Sequence, residues 1–257
     1  MGAARGAGQG LRVCTYNIHK GFSQFNRRMV VHELRERLRS LDVDLVFLQE
    51  VQGLHLRHAT RHADWPGAPQ HEFLAEDVWQ QTAYGGNAVY DHGHHGNAIL
   101  SRFPITFSTN TDVSDHRFER RGLLHCEVQV PDLAAPIHCV CAHLGLTAGS
   151  RRRQMEVIAE RMEQLAPDGT PLIICGDFND WRNRADNLLA RRLGMREAFD
   201  NGRGQPARTF PSTVPVLRLD RIYVRGFGVR HAQVHCGLPW SQISDHAALT
   251  ADLEPRV

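Results

Sequence analysis

A chain of 257 residues with 42% apolar and 23% charged side chains can bury a sizeable core as one large globular unit. Its formal net charge of +2 excludes a strongly basic nucleic-acid scaffold, and no apolar stretch reaches the roughly 20 residues that span a bilayer. The six cysteines (Cys14, Cys126, Cys139, Cys141, Cys175 and Cys236) form no CxxC pair, and the N-terminus has no apolar signal core. They read as small buried hydrophobes in a reducing compartment, so a cytoplasmic protein is expected.

In chain order, residues 1–10 are rich in glycine and alanine and read as a loose tail, followed by one domain over 11–257. Leu11–Tyr16 reads as a first strand, and Val30, Leu34, Leu38 and Leu41 space out a helix from about 27 to 40. Leu45–Leu48 is the next strand, and 52–72, with His55, His58, His62 and Trp65-Pro66-Gly67, the first long loop. Phe73, Leu74, Val78 and Trp79 suggest a helix, and His92, His94 and His95 a glycine-interleaved loop rather than a metal cluster. Ala98–Leu100, Leu123–Val130 and Ile137–Ala142 read as strands. Ser150 is a candidate cap for a helix with Met155, Ile158, Met162 and Leu165 on its apolar face. Leu172–Cys175 is a strand, Leu188, Leu189 and Leu193 mark a short helix, and 200–216 is a second long loop with Gly202, Gly204 and three prolines. Arg221–Val224 and Ala247–Ala251 close the series. Several strands are continuously apolar, as expected where both faces are covered. An α+β fold of two packed sheets with helices outside follows.

Polar residues stand abruptly at the ends of these runs: Asn17, Gln49-Glu50, His143, Gly176-Asp177-Phe178-Asn179-Asp180 and Asp220-Arg221, with Ser244-Asp245-His246 directly before the last. A carboxylate at a buried strand end is costly unless it meets a metal, a cation or hydrogen-bond donors. So many in one chain suggest that one rim of the sheets is a site. Asp177 and Asn179, two apart, point the same way on extended chain.

Thr15-Tyr16-Asn17, Leu48-Gln49-Glu50, Gly96-Asn97-Ala98-Ile99-Leu100-Ser101, Ala142-His143-Leu144, Gly176-Asp177-Phe178-Asn179, Leu219-Asp220-Arg221-Ile222 and Ser244-Asp245-His246 occur in the order of the endonuclease/exonuclease/phosphatase superfamily. The chain resembles that family over residues 11–253, and Asn17–Phe25, Tyr84–Tyr90 and Arg208–Pro211 resemble a bacterial subgroup of it. The resemblance implies a DNase I-like four-layer α/β sandwich of two mixed sheets flanked by helices, with a Mg²⁺ site at one end; Mn²⁺ is the expected substitute.

By the same resemblance, Glu50, Asn17 and Asp245 are the metal-side residues. Asp177 orients or deprotonates the attacking water, and Asn179 holds a phosphate oxygen. His143 and His246 contact phosphate, and Asp220 accepts a hydrogen bond from His246. Whether His246 acts as base or electrostatic clamp stays open. Asn97, Arg121, Trp181 and Trp240 are candidates for substrate contact, the tryptophans for stacking on a base or touching a lipid. Arg151-Arg152-Arg153 at a helix start opposes the helix dipole, which suits an anionic partner or a solvated face.

Three functions remain: phosphodiester hydrolysis on nucleic acid, the same chemistry on a lipid or small phosphoester, and a non-catalytic binding module. No expected polar position is lost, which argues against the third. The breadth of nucleases in the family tilts the expectation to nucleic acid, with a phosphoester as the partner and no obligate protein partner.

Overall fold

The computed structural model describes residues 10–24, 28–55, 64–90, 93–115, 119–182, 185–200 and 205–256. Residues 1–9 of the predicted tail, His58, His62, His92, Gly202 and Gly204 lie outside these.

Two six-stranded sheets form the body. The first runs β11-β12-β1-β2-β4-β3 and comprises β1 (Leu11–Asn17), β2 (Leu45–His55), β3 (Gln81–Tyr90), β4 (Gly93–Ser101), β11 (Phe227–His235) and β12 (Ala248–Pro255). The second runs β5-β6-β7-β8-β10-β9 and comprises β5 (Ile105–Asp112), β6 (Gly122–Val128), β7 (Ile137–His143), β8 (Leu172–Asp177), β9 (Arg196–Glu197) and β10 (Asp220–Arg225). Parallel pairs β1–β2 and β7–β8 sit among antiparallel neighbours. Helices α1 (Val31–Ser40), α2 (Gln70–Ala75), α3 (Ala148–Leu165) and α4 (Ala185–Leu193) lie outside.

Alternation along each strand creates the layers. Val13, Phe47, Ile99 and Leu249 of the first sheet meet Leu124, Cys139, Cys175 and Ile222 of the second between the sheets. The intervening residues Cys14, Tyr16, Val46 and Leu48 face outward and are covered by Leu34 and Leu38 of α1 and Leu74 of α2. Val140, Ile174 and Tyr223 are covered in the same way by Met155, Ile158 and Met162 of α3 and Leu189 of α4. Both faces of the central strands are therefore apolar. The expected helix–sheet–sheet–helix sandwich is present.

Departures concentrate at the edges. β3, β5, β9 and β11 are the outermost strands of the sheets, and no apolar run marked them. β5, Ile-Thr-Phe-Ser-Thr-Asn-Thr-Asp, is mostly exposed or half-buried, as an edge strand with one wet face should be. Within the predicted 92–95 loop, residues 93–95 are instead the start of β4, where His95 pairs with Gln52 and Ala88. β2 runs through His55, so the first loop is shorter than predicted, and α2 stops before Val78 and Trp79. Trp79 Nε1 instead donates to the Val43 carbonyl at 3.1 Å. Leu165 is exposed at the end of α3, and Cys236, unlike the other five cysteines, is exposed too.

The cap of α3 is Thr147 rather than Ser150: its hydroxyl accepts from Ser150 N at 3.1 Å, while Ser150 Oγ donates to Asp115 at 2.6 Å. Thr147→Ala is expected to lower stability by about 1 kcal/mol. The reading is a lower urea midpoint at unchanged slope; an unmoved midpoint would leave the helix start to packing alone.

Candidate active site

The strand ends of both sheets converge. Asn17 and Gln49 are register partners across β1 and β2, His143 and Asp177 across β7 and β8, and Asp220 and Asp177 across β10 and β8. Asn17 Nδ2 joins the sheets, lying 3.2 Å from Asp177 Oδ2 and 3.5 Å from Glu50 Oε1. Two carboxylates thus share one amide.

Local backbone explains how each group is aimed. The β2–β4 register shifts between Leu48 and Val51, and Glu50 has φ 57. Such a bulge swings one side chain off the alternation. Gln49 turns inward and donates to Thr15 Oγ1 at 3.2 Å, whereas Glu50 keeps 22% of its side chain open to solvent. Gly176 has φ 146, and a Cβ there would lie 1.8 Å from the Ala142 carbonyl oxygen. Only glycine lets β8 approach β7 so closely. Asn179, at φ 49, donates its backbone N–H to Asp177 Oδ1 at 2.9 Å and its Nδ2 to the Leu144 carbonyl at 3.0 Å.

His246 Nδ1 lies 2.9 Å from Asp220 Oδ2, and Nε2 lies 3.8 Å from Asp177 Oδ2. Burial disfavours its charge, but Asp220 and Asp177 outweigh that and raise its pKa to about 10, so the ring is an imidazolium at neutral pH. Burial raises the Asp177 pKa to about 6, against the pull of His246. His143 Nε2 is 3.5 Å from Asp177 Oδ2, yet burial, with Arg121, His246 and His95 nearby, pushes its pKa well down and keeps it neutral. Asp245 accepts from His19 Nδ1 at 3.1 Å. Burial alone would raise its pKa, but that bond and the neighbouring histidine charges hold it low.

The second long loop supports the His246–Asp220 pair from behind. Thr209 Oγ1 accepts from Leu219 N and Asp220 N, both at 3.2 Å, and the Phe210 ring centre lies 5.2 Å from that of His246. Ser212 Oγ donates to the Ser244 carbonyl at 2.5 Å, and Ser244 Oγ donates to the Asn17 carbonyl at 2.7 Å. Arg221, fully buried, clamps the Asp220 and Asp180 carbonyls at 3.0 and 2.9 Å. Arg221 and Ser244 stood in the sequence motifs, but no supporting role was assigned to them or to Thr209, Phe210 and Ser212, because nothing in the sequence marks a hydroxyl that caps a distant strand.

Of the substrate candidates, Asn97 lies in the seam between the sheets, donating to the Gly122 and Cys141 carbonyls at 2.9 and 3.2 Å. Arg121 donates through Nε to the Leu144 carbonyl at 3.1 Å, beside His143. Trp181 is 44% exposed, with the Arg151 guanidinium 4.8 Å from its ring centre. Trp240 packs edge-on against Tyr16 at 5.9 Å and beside His235 at 5.1 Å. Three cationic or ionisable residues not proposed as site residues also stand here: His19 on Asp245, Lys20 Nζ 3.8 Å from Glu50 Oε2, and His95, electrostatically coupled to Lys20 and Glu50. The spacing of His19 and Lys20 from Asn17 was the available signal.

Asp177, Asp220 and His246 offer ligand atoms within 4.8 Å of one another, so this buried group is able to hold a metal ion. Asp220 Oδ1 has no hydrogen-bond partner among the described residues.

The chain is 46% identical over 245 residues to uncharacterized protein YbhP of Escherichia coli K12, covering 94% of this chain and 95% of that one. A Beutenbergia cavernae endonuclease/exonuclease/phosphatase shares the fold with a TM-score of 0.75 at 21% identity, over 96% of this chain and 72% of that one. The human Nocturnin catalytic domain with bound sulfate anion gives a TM-score of 0.71 at 17% identity, over 96% of this chain and 95% of that one. The Endonuclease/Exonuclease/phosphatase family profile matches residues 14–246, and with the strand-end cluster above it identifies this chain as a member of that family.

Proposed function

We propose that the chain is a divalent-metal-dependent phosphodiester hydrolase acting on nucleic acid. The observation that carries the reading is the facing of the Asp220-held imidazolium of His246 and the buried carboxylate of Asp177, 3.8 Å apart. A phosphodiester anion repels a nucleophile, so a site that hydrolyses it needs fixed positive charge and a positioned base. His246 supplies the first as an electrostatic clamp on a phosphate oxygen. Asp177, with a pKa of about 6, is ionised at neutral pH and still basic enough to draw a proton from water. Asn179 holds a second phosphate oxygen, and neutral His143 orients the group between itself and Asp177.

The donor set at the open side fits a hard cation. Glu50 and Asp177 converge on the Asn17 amide, and no thiolate is near. Glu50, Asn17 and Asp245 would hold Mg²⁺ or Mn²⁺, which when bound neutralises phosphate charge. His246 could ligate only through Nε2 and only after losing the proton that Asp220 and Asp177 favour. Nucleic acid is favoured over lipid by the breadth of nucleases in the family, and the exposed Trp181, two residues past Asn179, offers a face on which a base can stack. Among the described residues no helix is long and apolar enough to cross a membrane.

EDTA is expected to abolish hydrolysis of bis(p-nitrophenyl) phosphate and of oligonucleotides, with Mg²⁺ or Mn²⁺ restoring it. Full activity in EDTA, or restoration by Zn²⁺ alone, would refute the assigned donor set.

A further inference from the structure

The arginines at the head of α3 and the tryptophan beyond the Asp177 turn are not used by the chemistry above. Yet Arg151 and Arg152 line one cavity and Trp181 stands beside it, next in the chain to Asp180 and under the Arg151 guanidinium. The cavity has a volume of about 560 Å³ and lies between α3 and α4. Arg151, Arg152, Arg191 and Arg192 line it together with apolar Met155 and Leu188. Glu156 and Asp180 also line it, leaving a surplus of positive charge over negative.

Arg192 is paired with Glu163 at 2.5 Å, and the other three arginines divide into two kinds. Arg151 is buried and structural: Nη1 donates to the Gly145 and Leu146 carbonyls at 3.2 and 2.7 Å, and its guanidinium lies 4.8 Å from the Trp181 ring centre. It fixes the indole as a platform while 44% of Trp181 stays exposed. Arg152 and Arg191 are outward-facing. Arg152 exposes 75% of its side chain with Glu156 at 3.6 Å, and Arg191 makes no ion pair among the described residues. Positive charge in the first turns of a helix opposes its dipole, a cost that a bound anion offsets.

Asp180 ties this cavity to the catalytic centre. It stands three residues after Asp177, so the two lie at most about 11 Å apart along the chain. A strand whose scissile phosphate sits at Asp177 therefore has a neighbouring nucleotide within reach of the cavity.

We propose that the cavity is a subsite for a flanking nucleotide of single-stranded nucleic acid, with the base stacked on Trp181 and the phosphates engaged by Arg152 and Arg191. Stacking requires an unpaired base, and planar guanidinium groups match phosphate oxygens in pairs. The substrate class rests on the phosphodiesterase reading, but occupancy of the cavity does not require turnover.

The test is fluorescence anisotropy of a labelled single-stranded oligonucleotide with the full chain in EDTA, where no cleavage intervenes. Arg152→Glu/Arg191→Glu is expected to weaken binding about tenfold or more and to lower the slope of log Kd against log salt by about 1.4 units. Arg37→Glu/Arg230→Glu, at exposed positions on α1 and β11, is the charge-matched control and is expected to stay within about twofold. Trp181→Ala is expected to weaken binding of the oligonucleotide but not of an abasic strand of equal length. Equal losses in the double variant and the control, or no loss in either, overturn the cavity assignment; equal losses on both strands in Trp181→Ala overturn the stacking platform. If thermal melting shows the double variant unfolded, Arg191→Gln replaces it with the same expected direction. Weakened binding in a protein that cleaves no phosphodiester with Mg²⁺ would keep the subsite and remove the hydrolase reading. Unchanged binding with normal cleavage would do the reverse.

Discussion

His246→Gln is expected to lower kcat on the order of 10³-fold or more while the protein stays folded. The substitution removes the imidazolium charge but keeps an amide donor within reach of Asp220. His246→Ala is the poorer experiment, since it strands a fully buried carboxylate whose partner is 2.9 Å away. Breaking such a pair from one side costs about 3–5 kcal/mol, so lost activity would be confounded with lost stability.

The pair also sets the alkaline limb of the rate. Burial works against the His246 charge, and Asp220 is the leading group that overcomes it to give a pKa of about 10. The clamp needs the protonated ring, so activity falls as pH rises through that value. Asp220→Asn removes the largest support, and the His246 pKa should fall toward its ordinary 6.5. The variant should retain more of its activity near pH 6 than near pH 9, a shape that simple loosening of the site would not produce. A parallel drop at all pH values would return Asp220 to a packing role.

Asp177→Asn is expected to cost about 10²- to 10⁴-fold in turnover with the melting temperature unchanged or higher. The side chain is buried, and burial is what raises its pKa to about 6, so the ionised group is strained in the resting protein. An amide relieves that desolvation and can still accept from Asn179 N, which donates at 2.9 Å. Calorimetry beside single-turnover rates separates the two quantities. Retained activity would exclude Asp177 as the base, and a large fall in melting temperature would make it a structural residue.

The parts of this fold that were legible in the sequence are those buried on two sides. β8 carries a continuous apolar run, and β1 and β7 runs broken only at Arg12, Thr15 and His138, because a second sheet covers one face and helices or loops the other. Their polar ends were legible for the same reason, as an apolar run that stops at Asp177 or Asn17 leaves a costly group to explain. Edge strands such as β5 and β11 gave no such signal. His95 was hidden because glycine and histidine around it look like a turn, whereas neighbouring strands draw the segment into β4. Ser150 and Thr147 both suit a helix start, and only the backbone settles that Thr147 is the cap. Thr209, Phe210 and Ser212 were read as loop residues, the first two within a subgroup-like segment and none with a site role, though they brace Asp220 and His246 across a long sequence separation.

The most direct measurement of the central claim is the initial rate of phosphodiester cleavage with Mg²⁺, comparing the unaltered chain with His246→Gln purified identically. Bis(p-nitrophenyl) phosphate and a single-stranded oligonucleotide serve as the two substrates. The account predicts metal-dependent cleavage by the unaltered chain and its loss in the variant. Equal cleavage by both proteins, or none by either on any phosphodiester offered, would contradict it.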